Sequence, residues 1–193
     1  MTLAIIGLGK WGKNLVREFS KISTISFAVS KGNKTNIRWL HQNYPHIVHT
    51  TNFESILNNP SITSIIIATP ISSHYHLALQ SLKNGKNVFV EKPLSENSSD
   101  AQTLLKIAKQ KKLNLFVGHV FNYHPIFKKI VELDKKEKIQ YMKFDWSKPD
   151  CSKEDIFLDL VSHDLFLICR LFGQPISIKL LSSQDIFNLN DIL

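Results

Sequence analysis

Two groups of residues in this sequence have the types and spacing to do chemistry. One is Asp159 with His163. Four residues apart on a helical run, a carboxylate and an imidazole share one face. Their neighbours Phe157, Leu158, Leu160, Val161, Leu165 and Phe166 are apolar, so an ionisable pair among them carries a desolvation cost that function would explain. An imidazole titrates near neutrality, and a carboxylate beside it favours the charged ring. The pair therefore suits a general base that accepts the proton of a hydroxyl. The alternative is a mutually satisfied structural pair.

The other group is Gly7-Leu8-Gly9-Lys10-Trp11-Gly12, a G-x-G-x-x-G between an apolar run, Leu3 to Ile6, and a helix whose apolar positions include Leu15, Phe19 and Ile22. The first glycine permits a tight turn, the second lets backbone approach a pyrophosphate, and the third allows helix to pack closely on strand. Unpaired amides at the helix start, from Lys10 and Trp11 onward, bind phosphate. The alternative is a tight turn without ligand. Ser30 stands 18 residues beyond Gly12, followed by Lys31 and Lys34. An acidic residue there would accept hydrogen bonds from the ribose 2′-hydroxyl of NAD; Ser30 with Lys31 instead suits the 2′-phosphate of NADP. NADP is the preferred expectation and NAD the alternative.

These groups need a scaffold of alternating strands and helices. Leu3 to Ile6, Ile25 to Val29, Ser64 to Ala68, Asn87 to Val90 and Asn114 to Val117 read as strands without polar alternation, which a parallel sheet covered on both faces requires. Tyr75, Ala78, Leu79 and Leu82, and then Ala101, Leu104, Leu105 and Ala108, repeat the spacing of one-sided helices. Gly85 stops the first, and Ser98, Ser99 and Asp100 offer caps to the second. The expected fold class is α/β, a doubly wound parallel Rossmann domain over residues 1–118 followed by an incomplete α/β domain over 119–193. In the latter, His124 to Asp134 and Ile156 to Phe172 read as helices, Ile139 to Asp145 and Ile176 to Leu181 as strands, and Ser147 to Glu154 as a loop.

Composition excludes several classes. With 193 residues, 43% hydrophobic and 21% charged, the chain has the balance of a globular protein. No apolar run reaches the length of a membrane helix, and the apolar start is too short for a signal peptide, so a cytoplasmic location is expected. Cys151 and Cys169 have neither metal-ligand nor disulfide-framework spacing. The formal charge of +8 sits on scattered helix-end lysines, which suit a solvated surface or a phosphate-bearing ligand better than nucleic acid. No metal site is legible.

Three further segments join the glycine loop: Ala68-Thr69-Pro70 with His74, Glu91-Lys92-Pro93, and Asp159 with His163. In order and spacing the chain resembles the Gfo/Idh/MocA oxidoreductases from about Thr2 to Leu181. The resemblance implies hydride transfer between NAD(P) and a carbinol carbon of a sugar, cyclitol or nucleotide sugar. It implies that Thr69, Pro70 and His74 border the nicotinamide ribose, and that Glu91-Lys92-Pro93, with a cis bond at Lys92-Pro93, brings the Lys92 ammonium to the reacting hydroxyl. It places substrate contacts at His119, Asn122 and Tyr123. His163, supported by Asp159, is then the base, and Lys92 stabilises the alkoxide.

The family's second domain needs more strands after the Asp159 helix than remain before Leu193. Expected outcomes are a homo-oligomer or a partner chain that completes the layer, a short active form, or an inactive one. Two functional classes follow, a dehydrogenase and a non-catalytic dinucleotide-binding remnant or interaction module.

Overall fold

The computed structural model describes residues 2–145 and 157–179. Its sheet has six parallel strands: β1 (Thr2–Ile6), β2 (Thr24–Val29), β3 (Val48–Thr50), β4 (Ser64–Ile67), β5 (Asn87–Val90) and β6 (Leu115–Val117). Their spatial order is β3-β2-β1-β4-β5-β6. Crossovers that run one way from β1 and the opposite way from β4 put their helices on opposite faces, because each βαβ unit is right-handed. Helices α1 (Lys10–Phe19) and α2 (Lys34–Asn43) therefore cover one face. Opposite them lie α3 (Phe53–Leu57), α4 (His74–Lys83) and α5 (Ser98–Lys111).

The strands are apolar throughout because both faces are covered. Ile65, Ile66 and Ile67 are each at most 1% exposed although successive side chains point to opposite faces. Leu3, Ile5, Val16, Leu40 and Ile66 pack under α1 and α2, while Ala4, Ile6, Ile65, Ile67, Leu82 and Leu104 pack under the other helices. Asn33, Asn52 and Asn97 accept backbone N–H bonds and cap α2, α3 and α5. Buried Lys86 enters β5 and donates from Nζ to the carbonyls of Asn59, at 2.7 Å, and Ile62, at 2.8 Å. Burial lowers its pKa.

On the α1 side, the β4–β6 half of the sheet carries no helix among the described residues. A groove of about 390 Å³ runs there between Phe19, Ile66, Phe89 and Phe116. Its rings form a row: Phe19 meets Phe89 edge-on at 5.2 Å, Phe89 stacks on Phe116 at 5.5 Å, and Phe116 on Tyr123 at 6.2 Å.

After β6 the chain makes a 3₁₀ turn (Val120–Tyr123), then α6 (Pro125–Lys136), whose N-cap is His124. A π-helical turn (Phe157–Val161) leads into α7 (Ser162–Phe172), which Gly173 ends. Several expectations are corrected here. Residues 139–145 form no strand, and neither do 176–179; the predicted loop 147–154 and Leu180 and Leu181 lie outside the described residues. Alternating patterns become strands only when a neighbour supplies ladder bonds, and none adjoins these segments among the described residues. Ile22 lies beyond the end of α1 and is 79% exposed. Asn97, rather than Ser98, Ser99 or Asp100, caps α5. Strand β3 and helices α2 and α3 come in addition to the predicted elements.

The glycine loop separates two roles. A Cβ on Gly12 would overlap the Gly7 carbonyl oxygen, whereas one on Gly9 meets nothing within 4 Å. Gly12→Ala is expected to lower stability by about 1–3 kcal/mol through overpacking, and Gly9→Ala to cost only about 0.5 kcal/mol as an exchange at a helix N-cap. Thermal unfolding followed by circular dichroism checks this; equal melting temperatures for the two variants would contradict it.

Candidate active site

Most of the expected site residues of the first 123 positions lie in the segments that follow the carboxyl ends of the strands, around the point between β1 and β4 where the strand order reverses. Open parallel sheets bind ligands at that point. Gly7, at φ +95°, turns the chain out of β1 and faces Ala68 across the crevice; a Cβ there would overlap the Ala68 carbonyl. Gly9, Lys10 and Trp11 are exposed along the rim, and Trp11 is 55% exposed. Helix α1 opens with no side-chain cap and no acidic residue in its first turn. With no side-chain cap, the first amides of α1 open beside Gly9, where an added Cβ would meet nothing within 4 Å, and this fits a dinucleotide pyrophosphate.

Ser30 follows β2, half-buried, with Lys31 and Lys34 exposed beside it. Its Oγ lies 2.9 Å from Nε2 of His49, the β3 residue that pairs with Ala28. Sequence reasoning missed His49 because it missed β3, a strand of three residues.

At the end of β4, the Ser73 hydroxyl lies 2.7 Å from both Thr69 Oγ1 and the Pro70 carbonyl. His74 is 1% exposed. Its Nε2 lies 2.8 Å from the Thr69 carbonyl and its Nδ1 2.8 Å from the Pro93 carbonyl. Both oxygens can only accept, so a ring nitrogen that bonds either of them is the donor. His74 thus lies behind the crevice wall and ties two loops together. Of the three expected residues there, Thr69 is half-buried and Pro70 exposed.

Lys92-Pro93 at the end of β5 is cis. Burial raises the Glu91 carboxyl above its usual range, partly offset by the Lys92 backbone N–H and the Lys92 charge. Among the described residues Glu91 Oε1 has no hydrogen-bond partner. Gly118 makes room for this group: a Cβ there would stand 3.2 Å from Cδ and both oxygens of Glu91. Gly118, unassigned from sequence, has no signal in the sequence beyond its place at a strand end.

His119 carries the next ring. Burial lowers its pKa, and the Lys92 charge acts in the same direction, so a neutral imidazole faces the same space. It stacks on Phe166 of α7 with centroids 3.9 Å apart, while Phe121 meets His163 edge-on at 4.7 Å. These two contacts bring α7 against the turn after β6. Asn122 donates its backbone N–H to the His119 carbonyl. Tyr123 is drawn to Phe116 on the sheet groove, away from His119. Asp159 falls in the π-helical turn, where the spacing of a regular α-helix does not apply; its side chain lies outside the described residues. Among the described residues no three His, Cys, Asp or Glu side chains gather as a metal site.

A doubly wound sheet with an uncapped, glycine-led helix at its switch point defines a dinucleotide-binding α/β protein. Residues 1–119 match the model of the GFO_IDH_MocA oxidoreductase family with an NAD-binding Rossmann fold, and the chain belongs to that family. Oxidoreductase P35 of Formosa agariphila is 31% identical over 150 residues, 67% of this chain and 47% of that protein. The scyllo-inositol 2-dehydrogenase (NADP(+)) IolW of Bacillus subtilis is 24% identical over 163 residues, 77% of this chain and 46% of that protein. The chain spans about half the length of these curated relatives. The fold is also that of GenD2 from gentamicin A biosynthesis, solved in complex with NAD, at a TM-score of 0.79 and 24% identity over 91% of this chain and 54% of that one.

The two titrations have opposite signs. Glu91, raised above its ordinary 4.5, binds more protons folded than unfolded between those values, so stability falls as pH rises through that window. His119, lowered below 6.5, binds fewer protons folded, so stability falls as pH drops below 6.5. Glu91→Gln is therefore expected to melt higher than wild type at pH 7 and to lose that advantage below pH 4.5. Melting temperatures across pH check it; a variant that melts lower at pH 7 would count against the buried charge.

Proposed function

We propose that this chain is an NAD(P)-dependent oxidoreductase that acts in the cytoplasm on a carbinol carbon of a sugar, cyclitol or nucleotide sugar. Residues 1–118 hold the cofactor and 119–193 begin the substrate domain. The reading rests on one observation above all: the uncapped, glycine-led start of α1 opens at the switch point of the sheet, and the cis Lys92-Pro93 turn follows β5 at the same end of the strands. An ammonium so placed stabilises the oxygen of a substrate hydroxyl as its proton leaves. His163 accepts that proton, with Asp159 as its support, and the Phe121 ring packs edge-on against its imidazole. His119, neutral, donates or accepts a hydrogen bond to a substrate hydroxyl, and Asn122 and Tyr123 complete the substrate side. A bound nicotinamide supplies or accepts the hydride. Gly7, Gly9, Gly12, Lys10 and Trp11 hold its pyrophosphate, Thr69 and Pro70 border its ribose, and Glu91 and His74 hold the loops around it. Ser30 and Lys31 favour NADP over NAD.

A second reading, a dinucleotide-binding module without its own turnover, is favoured by residues 139–145 and 176–179, which form no second sheet. Binding and turnover separate the two. NADP⁺ is expected to bind more tightly than NAD⁺ in a fluorescence titration, and a panel of sugars and cyclitols to give NADP-linked absorbance change. Lys92→Ala and His163→Ala should keep cofactor affinity within about twofold and lower turnover by about 10²- to 10⁴-fold. Tight cofactor binding with no turnover on any substrate would select the second reading, and wild-type turnover in both variants would remove their assigned roles.

A further inference from the structure

We propose that His49 is a positioning residue for cofactor choice: its Nε2–H donates to Ser30 Oγ, which turns the serine hydroxyl proton outward toward a 2′-phosphate. The inference rests on the dinucleotide reading above and deepens it. A hydroxyl has one proton and two lone pairs, so its partner decides what it presents to a ligand. If Nε2 accepted the Ser30 proton, only lone pairs would face outward, and they would repel a phosphate, which at neutral pH has acceptors alone. With Nε2 donating, the serine proton is free for a charge-assisted bond to phosphate.

Three features of the site support this arrangement. The Ser30 Oγ to His49 Nε2 distance is 2.9 Å, and the Ser30 backbone N–H is held by the Thr50 carbonyl at 3.2 Å. Both ends of Ser30 are thus fixed by β3, and its side chain has one partner that can set its polarity. His49 is half-buried where β3 lies beside β2, so its ring is placed by the strand register that sets Ala28 opposite His49. Basic side chains follow in the chain: Lys31 comes next after Ser30, and Lys34 and Arg38 lie on one side of α2. Burial, followed by the neighbouring His41, holds His49 below the usual imidazole range, with a hydrogen bond to the Ser30 backbone offsetting part of the effect. A neutral ring has one N–H to give.

A double-mutant cycle read as the ratio of Kd values for NAD⁺ and NADP⁺ tests the proposal on the whole chain. His49→Phe is expected to lower the preference for NADP⁺ about tenfold, the scale of one hydrogen bond to a charged group. Ser30→Ala should do the same, and the double variant should lose no more than either single one, because His49 acts through Ser30. His49→Gln, which keeps an N–H donor, should retain most of the preference and guards against misfolding of the Phe variant. A ratio within twofold of wild type for His49→Phe, or fully additive losses in the cycle, would overturn the role of His49 while leaving the dinucleotide site intact. A wild-type preference for NAD⁺ would overturn both this role and the NADP assignment. Failure of wild type to bind either nucleotide would overturn the cofactor reading itself.

Discussion

Everything in this molecule depends on how closely the ends of β1 and β4 approach each other. Gly7 has no side chain, so the Ala68 carbonyl can lie against its Cα, and Gly12 brings the start of α1 down onto the Gly7 carbonyl. The approach narrows the crevice to backbone width at the point where the sheet changes direction. It also aims the first amides of α1 across that crevice. A larger residue at either position would separate strand from helix and remove the cradle together with the packing.

Around this centre the loops after β4, β5 and β6 are held to one another rather than merely placed side by side. His74 joins the Thr69 and Pro93 carbonyls, Gly118 admits the Glu91 carboxylate, and His119 stacks on Phe166. Each contact links a different pair of segments, and two of them fall on Glu91 and Pro93, the residues on either side of Lys92. That is the kind of support a reacting group needs, since small misplacements are costly to catalysis. The charge arrangement is uneven: a desolvated carboxylate and a neutral imidazole flank an ammonium.

The glycine loop, five of the six strands and the Glu91-Lys92-Pro93 segment were legible because each has a local physical signature. Continuous β-branched runs can only be strands covered on both faces, and glycine spacing after a strand has a steric meaning. β3 was invisible because Val48-His49-Thr50 is short and half polar, and with it went His49. Alternation in Ile139 to Asp145 suggested a strand, but pairing is a tertiary property that no local pattern contains. The i, i+4 argument for Asp159 and His163 assumed regular helix, and the π-helical turn departs from it. Burial of His74 behind the crevice was likewise illegible, since its two acceptors come from loops 5 and 19 residues away in sequence.

Lys86 and Lys92 bracket the same strand and have opposite fates. The first is spent at the entrance to β5, where its ammonium is consumed by the carbonyls of Asn59 and Ile62. Because β5 is a short, stiff element paired on both sides, anchoring its entrance also sets how far its exit projects. The far edge of the sheet thereby acts as a fixed footing for the opposite end of β5, and one of the chain's lysines is withdrawn from the surface to provide it.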